Sequence, residues 1–220
     1  MLTTPHSPVG RRERRSLELR ERIFRAAIQL FARKGYAETT VEDITNAADV
    51  GKGTFFNYFP SKEHTLAAFG QFQIAKVQAA ADAANSTTLP IQVFLRNLTL
   101  DVLSEPAQNP MIVRALLQAN LSSDPVRHVM RDIHSKATAL LGQIVEVGQQ
   151  RGEIRKDISP IDIAQVLRQS LLGAMLIWSL FGDGSLEARI ENVLKILWNG
   201  LAAQPESLAP PVSPAEGKSQ

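Results

Sequence analysis

The chain has 220 residues, 44% of them hydrophobic and 6% aromatic, with 24 basic side chains against 22 acidic ones and no cysteine. That length and apolar content suffice for a buried core in one large domain or two small ones, and the scarcity of aromatics beside abundant Ala, Leu, Ile and Gln favours helices over a sheet-rich sandwich. The missing cysteine excludes disulfides, Cys-based zinc sites and thiol nucleophiles.

Residues 1–16 carry two prolines, a glycine and an arginine cluster, and read as a flexible basic arm. Nine cations stand against three glutamates in residues 1–35, while the whole chain nets only +2. A basic end on an otherwise acidic protein points to a polyanion partner at that end. No apolar segment follows these charges, so they are not read as a secretory signal. No uninterrupted apolar run reaches the roughly 18 residues needed to span a bilayer; the nearest is 170–181. The expectation is a cytoplasmic protein with no membrane partner.

From about Ser16, the residues Ile23, Ala26, Ala27, Leu30 and Phe31 recur with the spacing of one buried helical face. Gly35 ends that helix as its C′ residue, behind Arg33 and Lys34, whose charges suit a last turn. Thr40 opens a second helix, with Asp43 three residues on in a capping-box arrangement and Val41, Ile44, Ala47 and Ala48 as its apolar stripe. Asp49 and Gly51 interrupt the pattern, and a third short helix over 52–58 follows. Two short helices joined by a turn of about four residues make a helix-turn-helix layout.

Ser61 is the expected N-cap of a fourth helix, with Glu63 in its first turn, running to about Ala84. Further helical segments are predicted near 90–104, 110–120, 125–151, 160–181 and 185–203, several opening on proline. Residues 152–157 read as a tight connector, and no segment alternates with the period of a strand. From 204 onward the chain is rich in Pro, Ser and Glu and predicts a disordered tail.

Residues 39–63 read TTVEDITNAADVGKGTFFNYFPSKE. This run resembles the DNA-binding segment of the TetR/AcrR repressor family, whose usual form is close to TTVxDIAxAAGVSKGTLYxYFxSKE, with the spacing kept throughout. The resemblance implies an all-α, Ω-shaped homodimer of about nine helices per chain. A three-helix helix-turn-helix DNA-binding domain would occupy 17–77, with the motif at 40–59, and a helical ligand-binding and dimerisation domain would occupy 78–203. The implied partners are double-stranded DNA carrying a palindromic operator, a small-molecule effector and a second copy of the chain.

Helix 3 is too short to be stable alone, so Phe55 and Phe59 must anchor it against helices 1 and 4. Its first turn then projects Lys52, Gly53 and Thr54 towards DNA, where backbone N–H groups favour phosphate and a glycine lets the backbone approach closely. Phe56 and Asn57 face the groove, where Asn pairs with adenine and Phe touches a thymine methyl. By the resemblance, Thr40, Tyr58 and Lys62 hold phosphates. The plainer alternatives are a core aromatic for Phe56, a core ring with a surface hydroxyl for Tyr58, a surface cover for Asn57 and solvated charges for Lys52 and Lys62. Three positions depart from the family pattern: Asp49 replaces a turn glycine, Gly51 a capping serine and Phe56 a tyrosine.

Over 161–181 one side carries Leu167, Leu171 and Met175 and another carries Val166, Ser170, Gly173 and Ile177, so this helix needs two packing neighbours. The last helix adds Ile190, Val193, Leu194, Leu197, Trp198 and Leu201. In the family the last two helices meet their symmetry mates in a four-helix interface; a monomer with 161–181 central in its core is the alternative. An effector pocket is expected among helices 4 to 8, lined by Phe72, Leu116, Met130 or Met175, for a lipophilic or mixed-character ligand, unless these residues are plain core. No cofactor, metal or enzymatic activity is expected, since His6, His64, His128 and His134 lack metal-ligand spacing and no Gly-rich phosphate loop or nucleophile elbow occurs. The function expected is a repressor released from its operator by a small molecule. The rivals are an activator, or a binding protein that keeps the fold without reading DNA.

Overall fold

The computed structural model describes residues 11–104, 106–122 and 124–202. The first ten residues of the expected arm and the tail from 204 lie outside the described residues. Among those described, the chain forms nine α-helices: α1 Arg11–Lys34, α2 Val41–Ala47, α3 Lys52–Tyr58, α4 Lys62–Ala83, α5 Ile91–Leu103, α6 Pro110–Ser122, α7 Asp124–Gln150, α8 Pro160–Phe181 and α9 Leu186–Leu201. A single 3₁₀ turn, Pro106–Gln108, precedes α6, and the β-type pairing among these residues is one isolated antiparallel bridge between Ile154 and Ala202.

Helix α1 corrects one expectation, because it starts at Arg11 and not near Ser16. No Gly or Pro interrupts 11–34, and Arg, Glu and Leu are strong helix formers. Local propensity therefore carries the helix back into residues read as arm. It ends as expected: Gly35 takes φ +88 and donates its N–H to Phe31 O at 3.1 Å.

Three apolar clusters hold the helices together. The first joins Ile23, Ala27 and Phe31 of α1 to Ile44 and Ala48, to Phe55 and Phe59, and to Leu66 of α4, with Ala115 of α6 and Val126 of α7 behind them. The helix-turn-helix thus shares its core with the helices that follow. The second cluster packs the end of α4 and α5 against α7 and α8, through Ala84, Ile91, Leu95, Ile144, Val145 and Ile163. The third closes α5, α6, α8 and α9 around Leu103, Val113, Met175, Trp178, Leu186 and Ile190.

Helix α7 is the central post, packed most extensively on α4 and α8. Near its end, a Cβ on Gly148 would meet Ile154 Cδ1 at 2.7 Å and Ile91 Cγ2 at 2.9 Å, so a larger residue there must push these isoleucines aside. Helix α8 is capped at both ends: Ser159 Oγ accepts from Asp162 N–H, Pro160 stands in the first turn and Gly182 takes the left-handed C-cap. Among the described residues α8 is the one helix long and apolar enough, by length and composition, to cross a membrane. No uninterrupted apolar run reveals this in the sequence, because Gln165, Arg168 and Gln169 break it. In the fold α8 packs against α6, α7 and α9.

Candidate nucleic-acid interface and effector cavity

The entry to α2 and the turn that leads on to α3 are set by three local devices. Thr40 and Asp43 form the expected capping box: Thr40 Oγ1 accepts from Asp43 N–H at 3.1 Å, and Asp43 Oδ2 accepts from Thr40 N–H at 2.7 Å. Lys34, at the end of α1, reaches the same carboxylate at 2.7 Å. The hydrogen bond from Lys34, and after it those from Thr40, hold the Asp43 carboxyl well below the usual range. Asp49 sits at φ +50, the one left-handed non-glycine among the described residues, as its place in the turn predicts. Its carbonyl accepts from Arg22 of α1 at 3.3 Å. Gly51 caps α3 by backbone alone, with no side-chain hydrogen bond.

Helix α3 divides into two faces. Phe55 and Phe59 are buried against α1, α2 and α4, as its short length requires. On the other side Phe56 is 51% exposed, its ring edge-on to Phe55 at 5.4 Å, and Asn57 is exposed beside it. Gly53 is exposed, and no atom lies within 4 Å of where a Cβ would stand. Thr54 and Tyr58 are half-buried at the edges. Lys52 is exposed and pairs with Glu42 at 2.9 Å. The Tyr58 hydroxyl shares a hydrogen bond with Ser16 Oγ at 3.1 Å, placing the start of α1 beside the recognition helix.

Thr40 and Lys62 reach this surface already engaged. The Thr40 hydroxyl donates to Asp43 Oδ2 at 2.6 Å. The Lys62 ammonium donates to the carbonyls of Tyr36 and Thr39 at 2.9 and 3.0 Å and lies 4.3 Å from the centre of the Tyr36 ring. Ser61 occupies the N-cap position of α4 but, against expectation, its hydroxyl makes no capping bond to the backbone. It donates instead to the Glu63 carboxylate, which also accepts from the Tyr36 phenol. Burial, and then Glu63, push the Tyr36 phenol up; burial also pushes Glu63 up, but the Ser61 and Tyr36 hydrogen bonds outweigh it and leave that carboxyl lowered. Nothing in the sequence announces the Tyr36–Glu63 bond or the carbonyls that Lys62 reaches, which lie 23 to 27 residues away along the chain.

Residues 23–69, which contain α2, α3 and the start of α4, match the family described as bacterial regulatory proteins, tetR family. An uncharacterized helix-turn-helix-type transcriptional regulator of Mycobacterium bovis is 30% identical over 153 residues, covering 66% of this chain and 70% of the relative. The chain belongs to the TetR family. The helix-turn-helix-type transcriptional repressor DhaR of a Mycobacterium species is 29% identical over 164 residues, or 72% of this chain and 81% of that protein. Among solved structures, Thermus thermophilus FadR, a TetR-family transcriptional repressor in complex with lauroyl-CoA, superposes with a TM-score of 0.65 at 29% identity, covering 87% of this chain and 98% of that one. This TetR-family chain is therefore a DNA-binding transcriptional regulator.

The four residues expected to line an effector pocket are not brought together. Leu116 and Met130 pack on the first cluster, behind the helix-turn-helix, and Met175 is buried in the third. Phe72 is 51% exposed, on a cleft of about 930 Å³ between α1 and α4 that also borders Phe24, Phe69 and Asn109. A cavity of about 300 Å³ lies elsewhere, between α5, α7, α8 and α9. Its walls are Leu95, Leu141, Leu167, Leu171, Leu194 and Trp198. Its exposed lining residues, taken as its opening, are Gln92, Arg96, Asn192 and Lys195, with the partly exposed Glu191 among them. Across this opening Arg96 of α5 pairs through two nitrogens with Glu191 of α9, Nε to Oε2 at 2.9 Å. The sequence assigns Leu167, Leu171 and Leu194 to packing faces of the last two helices, and an ion pair across 95 positions leaves no local signal.

Proposed function

We propose that this regulator is a dimeric repressor that inserts α3 into the major groove of a palindromic operator and is released by a small molecule bound between α5 and α9. One observation carries the first part: Phe55 and Phe59 fix α3 from behind while Gly53, Phe56 and Asn57 stand outward, exposed among the described residues. In this reading Asn57 and Phe56 read base edges and a thymine methyl. Lys52, Thr54 and Tyr58 grip phosphates, and Thr40 and Lys62 join them by exchanging their internal partners for phosphate oxygens. The DNA-binding unit extends over 17–77 and the effector and dimerisation unit over 78–203, so α4 belongs to both and carries any shift between them.

Dimerisation uses the outer faces of α8 and α9, where Val166, Leu172, Ile177, Leu180, Phe181 and Ile196 are exposed. Scattered exposed apolar residues are ordinary, but several on two adjacent helices mark an interface. Effector binding favours dimers whose recognition helices no longer match successive major grooves, about 34–36 Å apart. The reading places the protein in the cytoplasm, where its operator is, with no catalytic step. Its test is binding to DNA from the chain's own upstream region at several salt concentrations. A gel-shift or anisotropy affinity falling steeply with salt is expected from phosphate contacts; a flat response, or no binding, would overturn the proposal.

A further inference from the structure

The opening of the α5–α9 cavity has an arrangement of charge that selects a ligand class. Three charged side chains line it: Arg96, Glu191 and Lys195. Arg96 and Glu191 face each other across the opening, Nε to Oε2 at 2.9 Å, and the remaining Arg96 contact is a long one, 3.4 Å, to Asn97 Oδ1. Lys195 stands four residues after Glu191 on α9 and has no ion-pair partner among the described residues. The lining itself therefore carries two positive charges and one negative in front of a leucine-walled interior, and Glu187, one turn before Glu191 on α9 and outside the lining, also acts on Arg96.

We propose that the cavity admits an amphipathic carboxylate by ion-pair exchange, in which the ligand carboxylate takes the Arg96 guanidinium and Glu191 turns to Lys195. This rests on the reading of the cavity as the effector site. Each of the three lining charges is paired after the exchange: Arg96 with the ligand, and Glu191 with Lys195. The second pair has the Glu-before-Lys order at i and i+4 that suits a helix surface. The guanidinium fork fits a ligand carboxylate as well as it fits that of Glu191. The Arg96–Glu191 pair is partly exposed, with side-chain exposures of 45% and 34%, so breaking it loses little once both members are paired again. The exchange also unfastens α5 from α9, because this pair is the ion pair between them among the described residues. The aliphatic part of the ligand then meets the leucine walls and Trp198.

Trp198 lines the cavity and Trp178 does not, so tryptophan emission of the full-length Trp178→Phe protein reports occupancy. Octanoate and 1-octanol are titrated as a matched acid and alcohol. Octanoate is expected to bind at least tenfold more tightly than octanol. Arg96→Gln should bring octanoate down to the octanol level and leave octanol unchanged, and Arg96→Lys, which keeps charge without the fork, should fall between. Glu191→Gln removes the competitor and should tighten octanoate severalfold, while Lys195→Gln should weaken octanoate alone. Equal binding of acid and alcohol, an acid preference that survives Arg96→Gln, or no binding of either would each overturn the exchange. Upstream-DNA binding in the same samples separates the two readings. Arg96-dependent octanoate binding that leaves DNA affinity intact upholds the exchange and counts against the effector role alone.

Discussion

Asn57 and Tyr58 are neighbours on one seven-residue helix, yet their loss should be felt differently. Asn57 is exposed on the outward face, where its amide can meet a base edge; Tyr58 is half-buried and offers a hydroxyl next to Ser16. Asn57→Ala should relax preference at one operator base pair, costing about 1–3 kcal/mol on the native site and little on random DNA. Tyr58→Ala and Lys52→Ala should weaken all sequences alike, and Lys52→Ala should reduce the slope of log affinity against log salt by about 1. Competition binding against single-base operator variants separates the two behaviours. Lys62→Ala should differ from Lys52→Ala in a second readout. Its ammonium ties down the carbonyls of the α1–α2 connection, so its loss should lower the thermal midpoint as well as DNA affinity. The outward positions were legible in the sequence because a short helix with two inward phenylalanines has its remaining faces decided. The engagement of Lys62 was not, because it depends on where α4 starts relative to the end of α1.

At the scale of single elements, boundaries followed local chemistry wherever a breaker or a cap was present. Gly35, the Thr40–Asp43 box, Asp49, Ser159 and Gly182 each stand where their backbone or side chain is needed. The start of α1 lies earlier than the prolines, glycine and arginine cluster suggest, because Pro5, Pro8 and Gly10 all precede residue 11 and nothing in 11–15 breaks a helix. Two predictions belong here. Alanine is the better helix former by about 1 kcal/mol, so Gly148→Ala would stabilise an isolated α7. In the folded chain the new methyl must displace Ile154 and Ile91, and overpacking of this kind costs about 1–3 kcal/mol. The urea midpoint should therefore fall. Asp43→Asn removes the carboxylate that Lys34 and Thr40 hold below its ordinary pKa. A lowered folded-state pKa contributes stability that is present above the unfolded value, about 3.9, and is lost as pH drops through the folded one. The variant should be less stable than the parent at pH 7, and the gap in thermal midpoint should narrow progressively below pH 4.

The whole molecule is where sequence reading lost resolution, and the reason is combinatorial. Periodicity marks which residues of a helix are apolar, but not which neighbour each apolar stripe meets. Phe72, Leu116, Met130 and Met175 are expected from the sequence to line one pocket, yet the packing of the described helices distributes them among two cores and an open cleft. The excess of apolar surface on α8 was legible, since its stripes cover more of the helix than one neighbour can hide. In the folded protomer that excess is the exposed face carrying Val166 and Ile177, at 50% and 45% exposure. If this face joins two copies, a charge placed on it should separate them without disturbing the protomer, whose cores do not include either residue. Ile177→Glu should therefore keep its helical circular dichroism and sediment as a monomer at concentrations where the parent is a dimer. It should also lose most of its operator affinity, because a palindrome needs two recognition helices held at a fixed spacing. A variant that remained dimeric at parental strength would place the interface on another face of the molecule.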